Sequence, residues 1–450
     1  MIVSPIFAGK RYAVLGLARS GMATVETLLA SGAHVVAWDR QEEPRAKLAG
    51  RAELADPLAI DLAGFDGVVV SPGVPLNTHP IAEKAQAAGV PVIGDIELFA
   101  LARPALPPHK VIGITGTNGK STTTALVHHI VRSAGIPARM GGNIGLPILG
   151  QEPLPAGGVY VLELSSYQID LTHSLDCDAA ALTNITPDHL DRYAGFAAYA
   201  ASKARLFAMQ SPGHVAIFGC EDEPTRAIYD AERARRPLGT ARKVDLAALA
   251  PSQGEWPSLQ GPHNLQNAAV AVAMAEAVGV GEAQWRAALA TFRGLPYRME
   301  RIAEVGGVLF VNDSKATNPA STAPALAAYP PDPAPRVHWI LGGLPKDDTL
   351  GECEAYFGNI ARAYTIGEAG PLFASILEPV VPVERCEMLG EAVRRAAEAA
   401  QPGDVVLFSP ACASFDQFRD YEARGDAFRQ FVTAVTGVET SCAQFEDPAA

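Results

Sequence analysis

No stretch of this 450-residue chain is apolar for long enough to cross a bilayer, which takes about 20 consecutive, mostly apolar residues. That excludes a helical membrane protein. Basic residues are also in deficit: 36 Lys and Arg stand against 49 Asp and Glu, a formal charge of −13. With that balance and no basic run, phosphate is bound only where a local loop is built for it. Neither nucleic acid nor a membrane surface is expected as a partner. The six cysteines, at 177, 220, 353, 386, 412 and 442, have no CxxC spacing and no histidine cluster beside them. They read as buried thiols of a reducing compartment. The opening MIVSPIFAGKRYAVLGLARSG carries no charged leader ahead of its apolar residues, and RYAVLGL reads as a first strand rather than part of a signal peptide. A soluble, cytoplasmic protein is expected, with a monomer as the default.

What the sequence does contain is strand, glycine turn and helix in repetition, the pattern of parallel sheets covered by helices. At about 100–200 residues per domain, a chain of this length with 48% hydrophobic residues makes about two to four domains, each with its own core. RYAVLGL, HVVAWDR and GVVVSPG are strands of a first block, with MATVETLLASG and IAEKAQAAG as helices. The segment ARPALPPHK (102–110) reads as a linker, and GDIELFALA just before it is expected to pack onto the second block. The first boundary therefore falls near residue 94. A middle block runs to about residue 299. The last block contains the strands GGVLFVND, RVHWILGG and DVVLFSP and the helix LGEAVRRAAEAA. The final ETSCAQFEDPAA is polar and reads as a frayed end.

The densest chemistry lies at GITGTNGKSTTT (113–124). HKVIGIT supplies a strand and KSTTTALVHHIVRSAG a helix. The loop between them turns backbone N–H groups and a helix N-terminus toward one place, as an anion requires. Lys120 can reach the outer phosphates of a nucleotide, and the hydroxyl of Ser121 or Thr122 can take a magnesium ion. Strict Walker spacing would put glycine at 114, where this chain has Ile114; glycines 113, 116 and 119 serve instead. His128 and His129 are adjacent, do not share a helix face, and make no metal pair.

Further along, GGVYVLELSSYQID (157–170) gives a strand ending at Glu163, where a carboxylate can steer magnesium. ALTNITPDHLDRY (181–193) opens into a loop with Asp188, His189 and Asp191, and FAAYAASKARLFA is a helix carrying Lys203. Glu163 and His189 are sensible metal ligands. Lys203 is left with two readings, a surface lysine or a cation on the phosphates.

GTNGKST, ELSSYQ, TNITPDHLDRY and the helix with SK together resemble the Mur ligases, ATP-dependent amide-forming enzymes of peptidoglycan synthesis. NDSKATNP (312–319) and SPACASFDQFRDYEARGDAF (409–428) resemble, within that family, the members that add D-glutamate. The likeness spans residues 11 to 435. It implies an α/β fold of three domains: a Rossmann-like N-terminal domain binding the UDP substrate (1–93), a central P-loop ATPase-type domain (94–299) and a C-terminal Rossmann-like α/β domain binding the amino acid (300–450).

By the same resemblance Lys203 is carbamylated, which turns a cation into an anion. That carbamate with His189 and Glu163 would hold two magnesium ions, and Ser121 would complete the ion on the phosphates. Gly116, Thr117, Asn118, Gly119, Lys120, Ser121 and Thr122 would surround the phosphates of ATP; Asn267 and Arg298 would contact adenine, and Asp313 the ribose. Arg19 and Ser20 are implied near the diphosphate of the UDP substrate, Asp39 and Arg40 near uracil, with Gly73 and Asn143 also touching it. D-Glutamate would meet Lys315, Thr317, Lys346, Ser414, Phe415 and Tyr421. Two departures stand out. Leu344 and Pro345 precede Lys346 where the family commonly has Gly-Asp-Gly-Lys, and Tyr421 replaces the usual phenylalanine. At Gly73, glycine allows close backbone approach or a turn with positive φ.

The implied reaction joins D-glutamate to UDP-N-acetylmuramoyl-L-alanine through an acyl phosphate, releasing ADP and phosphate. Three rivals are weighed against it. GLARSG (16–21) with WDR (38–40) is similar to a dinucleotide fingerprint, but the pattern is G-x-A-x-x-G with Arg19 inside the turn, and an NAD enzyme would leave the phosphate loop idle. A P-loop switch protein would not need a third block rich in carboxylate-binding residues. A folylpolyglutamate synthase, or the Mur ligase adding L-alanine, lacks the DSKATN and SPACASFDQF stretches.

Overall fold

The computed structural model describes residues 1–188, 192–346 and 348–440. Its backbone is built on three sheets. The first contains β1 (Arg11–Leu15), β2 (His34–Trp38), β3 (Glu53–Leu54), β4 (Gly67–Val70) and β5 (Val92–Ile93), in the order β3-β2-β1-β4-β5, with every paired strand parallel. The second contains β6 (His109–Thr115), β7 (Ala138–Gly142), β8 (Gly158–Glu163), β9 (Ala179–Leu182), β10 (Val215–Phe218) and β11 (Ala241–Lys243), also parallel, in the order β11-β10-β9-β6-β8-β7. The third runs β12-β13-β17-β14-β15-β16, from β12 (Glu300–Val305), β13 (Val308–Asn312), β14 (Val337–Gly342), β15 (Ile360–Ile366), β16 (Val383–Glu387) and β17 (Val405–Phe408); only the β12–β13 pair is antiparallel.

The strands read as continuous apolar runs because both faces of each sheet are covered. In β8 all six residues are buried, Glu163 included. The chain order reverses at β6, which has β8 on one side and β9 on the other. A reversal of this kind opens a crevice at the carboxyl ends of the strands, where ligands of such sheets bind. Thr115, Glu163 and Leu182 end their strands at that same edge.

The chain forms two compact units, Met1–Ala250 with Gln266–Leu289, and Pro251–Leu265 with Ala290–Ala450. Within the first, one contiguous apolar core joins Tyr12, Val14 and Ile96 to Phe99, Tyr160 and Leu162. The helix Asp95–Ala102 does pack onto the following sheet: the Phe99 and Tyr160 rings meet edge to face at 5.1 Å. The expected linker 102–110 is not a free tether. Its end already belongs to β6, and Arg103 donates to the carbonyl of Asp176 at 2.5 Å and to His109 Nε2 at 3.2 Å. Among the described residues no helix is long and apolar enough to cross a membrane.

Candidate active site

The loop 116–119 joins β6 to a 14-residue helix, Lys120–Ser133. Gly116 and Gly119 both have positive φ, +150° and +80°; a Cβ at Gly116 would collide with Thr183 Oγ1, and one at Gly119 with Asn267 Oδ1. Only glycine fits either place. The loop is pinned to the segment after β9. Thr117 N–H donates to Asn184 O and Asn118 N–H to Asn184 Oδ1, both at 2.8 Å, while Thr183 Oγ1 and Asn184 Nδ2 donate to Asn118 O at 2.8 and 3.0 Å. Lys120 Nζ bonds Thr117 O at 2.8 Å, which keeps its ammonium over the loop. Ser121 and Thr122 lie half-buried in the first helical turn. Asn267, expected near adenine, sits against Gly119, and its Oδ1 accepts from Thr123 Oγ1 at 3.3 Å.

One strand away, Glu163 ends β8 opposite Ile114. Asn143 Nδ2 donates to Glu163 Oε1 at 2.8 Å. Oε2 is buried and has no hydrogen-bond partner among the described residues. A buried carboxylate oxygen in that state calls for a cation. Lys203 is the other unusual group. It is 1% exposed, donates to Gly116 O at 2.7 Å, and lies 4.5 Å above the Tyr199 ring. Burial first, and the nearby Lys120 charge second, push its amine down to about 6, so near pH 7 it is mostly neutral. The surface-lysine reading is thereby excluded. His189, the third expected ligand, lies outside the described residues, and among those described no cluster of three His, Cys, Asp or Glu side chains forms.

The residues expected on the UDP substrate lie in the same unit. Arg19 opens the helix Arg19–Ala30 and donates from Nη2 to Gly145 O at 3.0 Å; Ser20 follows it in the first turn. Both Asp39 oxygens are engaged by backbone, Oδ2 by Leu17 N–H at 2.6 Å and Oδ1 by Gln41 N–H at 2.9 Å, with Arg40 exposed beside it. Gly73 lies in an exposed turn, its φ is not positive, and a Cβ there would meet nothing. The positive-φ reading of that glycine is therefore withdrawn; the turn is open to contact rather than conformationally forced.

The second unit gathers two groups. Arg298 and Asp313 face one another electrostatically: Asp313 is buried, accepts from Ser409 Oγ at 2.7 Å and from Met299 N–H at 3.1 Å, and is pushed up to about 7 by burial, with Arg298 opposing that shift. Arg298 Nε is buried without a partner among the described residues. Of the residues expected for D-glutamate, Lys315 Nζ lies 5.3 Å over the Tyr421 ring, and Lys346 Nζ approaches Thr317 Oγ1 at 3.4 Å. Leu344 pairs with Ala413, bringing the altered loop beside buried Ser414. Phe415 is 69% exposed.

Comparison with known proteins agrees along the whole length. Residues 10–94 match the MurD-like N-terminal domain of Mur ligases, 114–244 the Mur ligase middle domain, and 297–412 the Mur ligase glutamate ligase domain. The UDP-N-acetylmuramoylalanine--D-glutamate ligase of Novosphingobium aromaticivorans is 71% identical over 97% of each chain, and that of Zymomonas mobilis is 55% identical over 97% of this chain and all of its own. This chain belongs to the Mur ligase family. The fold is that of the solved Mur ligases: MurF from Thermotoga maritima, in complex with ADP, superposes with a TM-score of 0.58 at 14% identity over 97% of each chain. UDP-N-acetylmuramate-alanine ligase from the same organism gives 0.56 at 16% identity, covering 94% of this chain and 99% of its own.

Several side chains of this Mur ligase shape the site without any local motif to announce them. Tyr199 is buried, carries Lys203 over its ring, and its hydroxyl shares a hydrogen with Thr117 Oγ1 at 3.1 Å. Its position four residues before Lys203 on one helix face was the available signal. Arg192 donates to Val74 O at 2.9 Å and stacks 4.3 Å over Tyr167, beside a cleft of about 520 Å³. Arg424 is 1% exposed and donates to the carbonyls of Cys412, Ala413 and Ser314 and to Ser314 Oγ, at 2.9 to 3.2 Å. It fastens both motifs expected to hold D-glutamate to one helix.

Proposed function

We propose that the chain is an ATP-dependent amide ligase that joins D-glutamate to UDP-N-acetylmuramoyl-L-alanine and releases ADP and phosphate, a step of peptidoglycan precursor synthesis. The observation that carries the reading is 71% identity over 97% of the chain to a ligase named for that reaction, in a fold whose phosphate loop opens at the sheet's switch point.

A carboxylate is a poor acyl donor because its leaving group would be oxide. Transfer of the γ-phosphoryl group of ATP onto the acceptor's carboxylate gives an acyl phosphate. The amine of D-glutamate attacks the acyl carbon, phosphate leaves, and a proton is lost from nitrogen. The protein's share is positioning and charge. Gly116 to Thr122 wrap the phosphates, and Lys120 meets charge that develops on the transferred group. Asn267, Arg298 and Asp313 are assigned to the nucleoside; the unpartnered Arg298 Nε supports this for Arg298. Arg19, Ser20, Asp39, Arg40, Gly73 and Asn143 are assigned to the UDP substrate, and Lys315, Thr317, Lys346, Ser414, Phe415 and Tyr421 to D-glutamate.

Two magnesium ions are assigned to Ser121, Glu163, His189 and a carbamate on Lys203. The unpartnered Glu163 Oε2 suits a cation, and the lowered Lys203 amine suits carbamylation, since only a neutral amine adds carbon dioxide. Bound there, the ions would neutralise phosphate charge in the transition state. The residue boundaries 1–93, 94–299 and 300–450 are proposed for the UDP-substrate, ATP and amino-acid domains. A cytoplasmic monomer is proposed, working where ATP is made available.

A coupled assay tests the reading. Phosphate release should require ATP, UDP-N-acetylmuramoyl-L-alanine and D-glutamate together. Release without either acceptor or amino acid would replace the ligase reading with that of a nucleotide switch.

A further inference from the structure

Two non-glycine residues with left-handed backbone, Tyr297 at φ +60° and Met299 at φ +47°, bracket Arg298. Bulky side chains avoid this region, and they persist in it only where the surroundings over-determine them. The surroundings of Tyr297 do so. Its N–H donates to Glu300 Oε2 at 2.9 Å, and that same oxygen pairs with Arg429, whose guanidinium lies 4.8 Å from the Tyr297 ring. Its hydroxyl donates to Asp426 Oδ1 at 2.8 Å. Its ring lies against Gly425, where a Cβ would collide with Cδ1.

What Tyr297 fixes in turn lies on both sides of it. Its carbonyl accepts the N–H of Lys315 at 2.9 Å, and its ring meets Tyr421 edge to face at 6.1 Å. Next in the chain is Arg298, and then Met299, whose N–H holds Asp313 at 3.1 Å. We propose that Tyr297 is a positioning residue that sets the nucleotide-side pair Arg298 and Asp313 and the D-glutamate-side pair Lys315 and Tyr421 in one common geometry. The inference rests on the assignment of those four residues to ATP and D-glutamate made above. One side chain thereby makes the fit of the two substrates interdependent, because any shift of its backbone moves both pairs.

The test is steady-state kinetics on the full chain with each substrate varied in turn. Tyr297→Ala should raise KM for both ATP and D-glutamate on the order of tenfold, while KM for UDP-N-acetylmuramoyl-L-alanine stays near wild type. Tyr297→Phe, which keeps ring and backbone, should recover most of that loss. Gly425→Ala leaves Tyr297 in the sequence but pushes its ring, and should shift the same two KM values. It serves also if the alanine variant at 297 fails to fold. A purely structural role would lower kcat through the active fraction and leave both KM values alone; that result, or a change in only one of them, overturns the inference. Arg298→Ala and Lys315→Ala separate the two levels. If each raises KM for its own substrate while the Tyr297 variants raise neither, the positioning role fails alone. If neither does, the site assignment itself fails.

Discussion

Asn143 holds Glu163 twice, its side-chain amide donating to Oε1 at 2.8 Å and its backbone N–H to the Glu163 carbonyl at 2.9 Å. One carboxylate oxygen is thereby fixed, and the other, buried and unpartnered among the described residues, is left for a cation. A residue that the family resemblance assigns to the UDP substrate thus also orients a proposed metal ligand.

Asn143→Ala should therefore weaken magnesium before it weakens anything else. Loss of an orienting partner commonly costs 10–100-fold in metal affinity or activity. The magnesium concentration for half-maximal phosphate release is expected to rise by about tenfold or more. An unchanged magnesium dependence with a raised KM for the UDP substrate would confine Asn143 to substrate contact.

Lys203 makes a prediction about pH and carbon dioxide. Its folded-state value is lowered to about 6, so acidification through that value turns the amine into an ammonium that cannot be carboxylated. Activity should fall on the acid side of about pH 6 and return with bicarbonate when the pH is raised. Lys203→Ala should lose on the order of 100-fold or more in kcat, with part regained on adding acetate. Full activity in that variant would contradict the carbamate role.

Arg424 gives a stability prediction. Burial lowers its guanidinium to about 10, still charged near neutrality, and it satisfies three carbonyls. Arg424→Met keeps much of the volume and takes this donor from the Cys412 and Ser314 carbonyls, while the Ala413 carbonyl still accepts the Leu344 N–H. With about 1–3 kcal/mol for each of the two buried carbonyls left unpaired, a loss of about 2 kcal/mol or more is expected in urea unfolding of the second unit's transition. A loss below about 1 kcal/mol would mean that water reaches the carbonyls.

Much of this was legible because the signals are local. The strand Gly158–Glu163, the phosphate loop and the helix Phe196–Ala208 that carries Lys203 each arise from an apolar run bounded by glycine or a polar cap. The chemistry of Lys203 was not. A lysine's charge state depends on what covers it, and the Tyr199 ring, Gly116 carbonyl and Lys120 charge that decide it come together only in the fold. The same holds for Arg424 and Ser314, 110 residues apart, and for the left-handed backbone of Tyr297, which runs against its own conformational preference. The anchoring of the proline-rich stretch 102–110 was not legible for a related reason. Prolines signal an interruption of regular structure, but the anchoring of Arg103 to Asp176 depends on residues far along the chain.

The central claim is that ATP turns the acceptor's carboxylate into an acyl donor, and the fate of one oxygen tests it most directly. UDP-N-acetylmuramoyl-L-alanine labelled with oxygen-18 in its terminal carboxylate should pass one labelled oxygen to the released phosphate for each amide formed, because that oxygen leaves with the phosphoryl group. Amide formation with unlabelled phosphate would contradict the account.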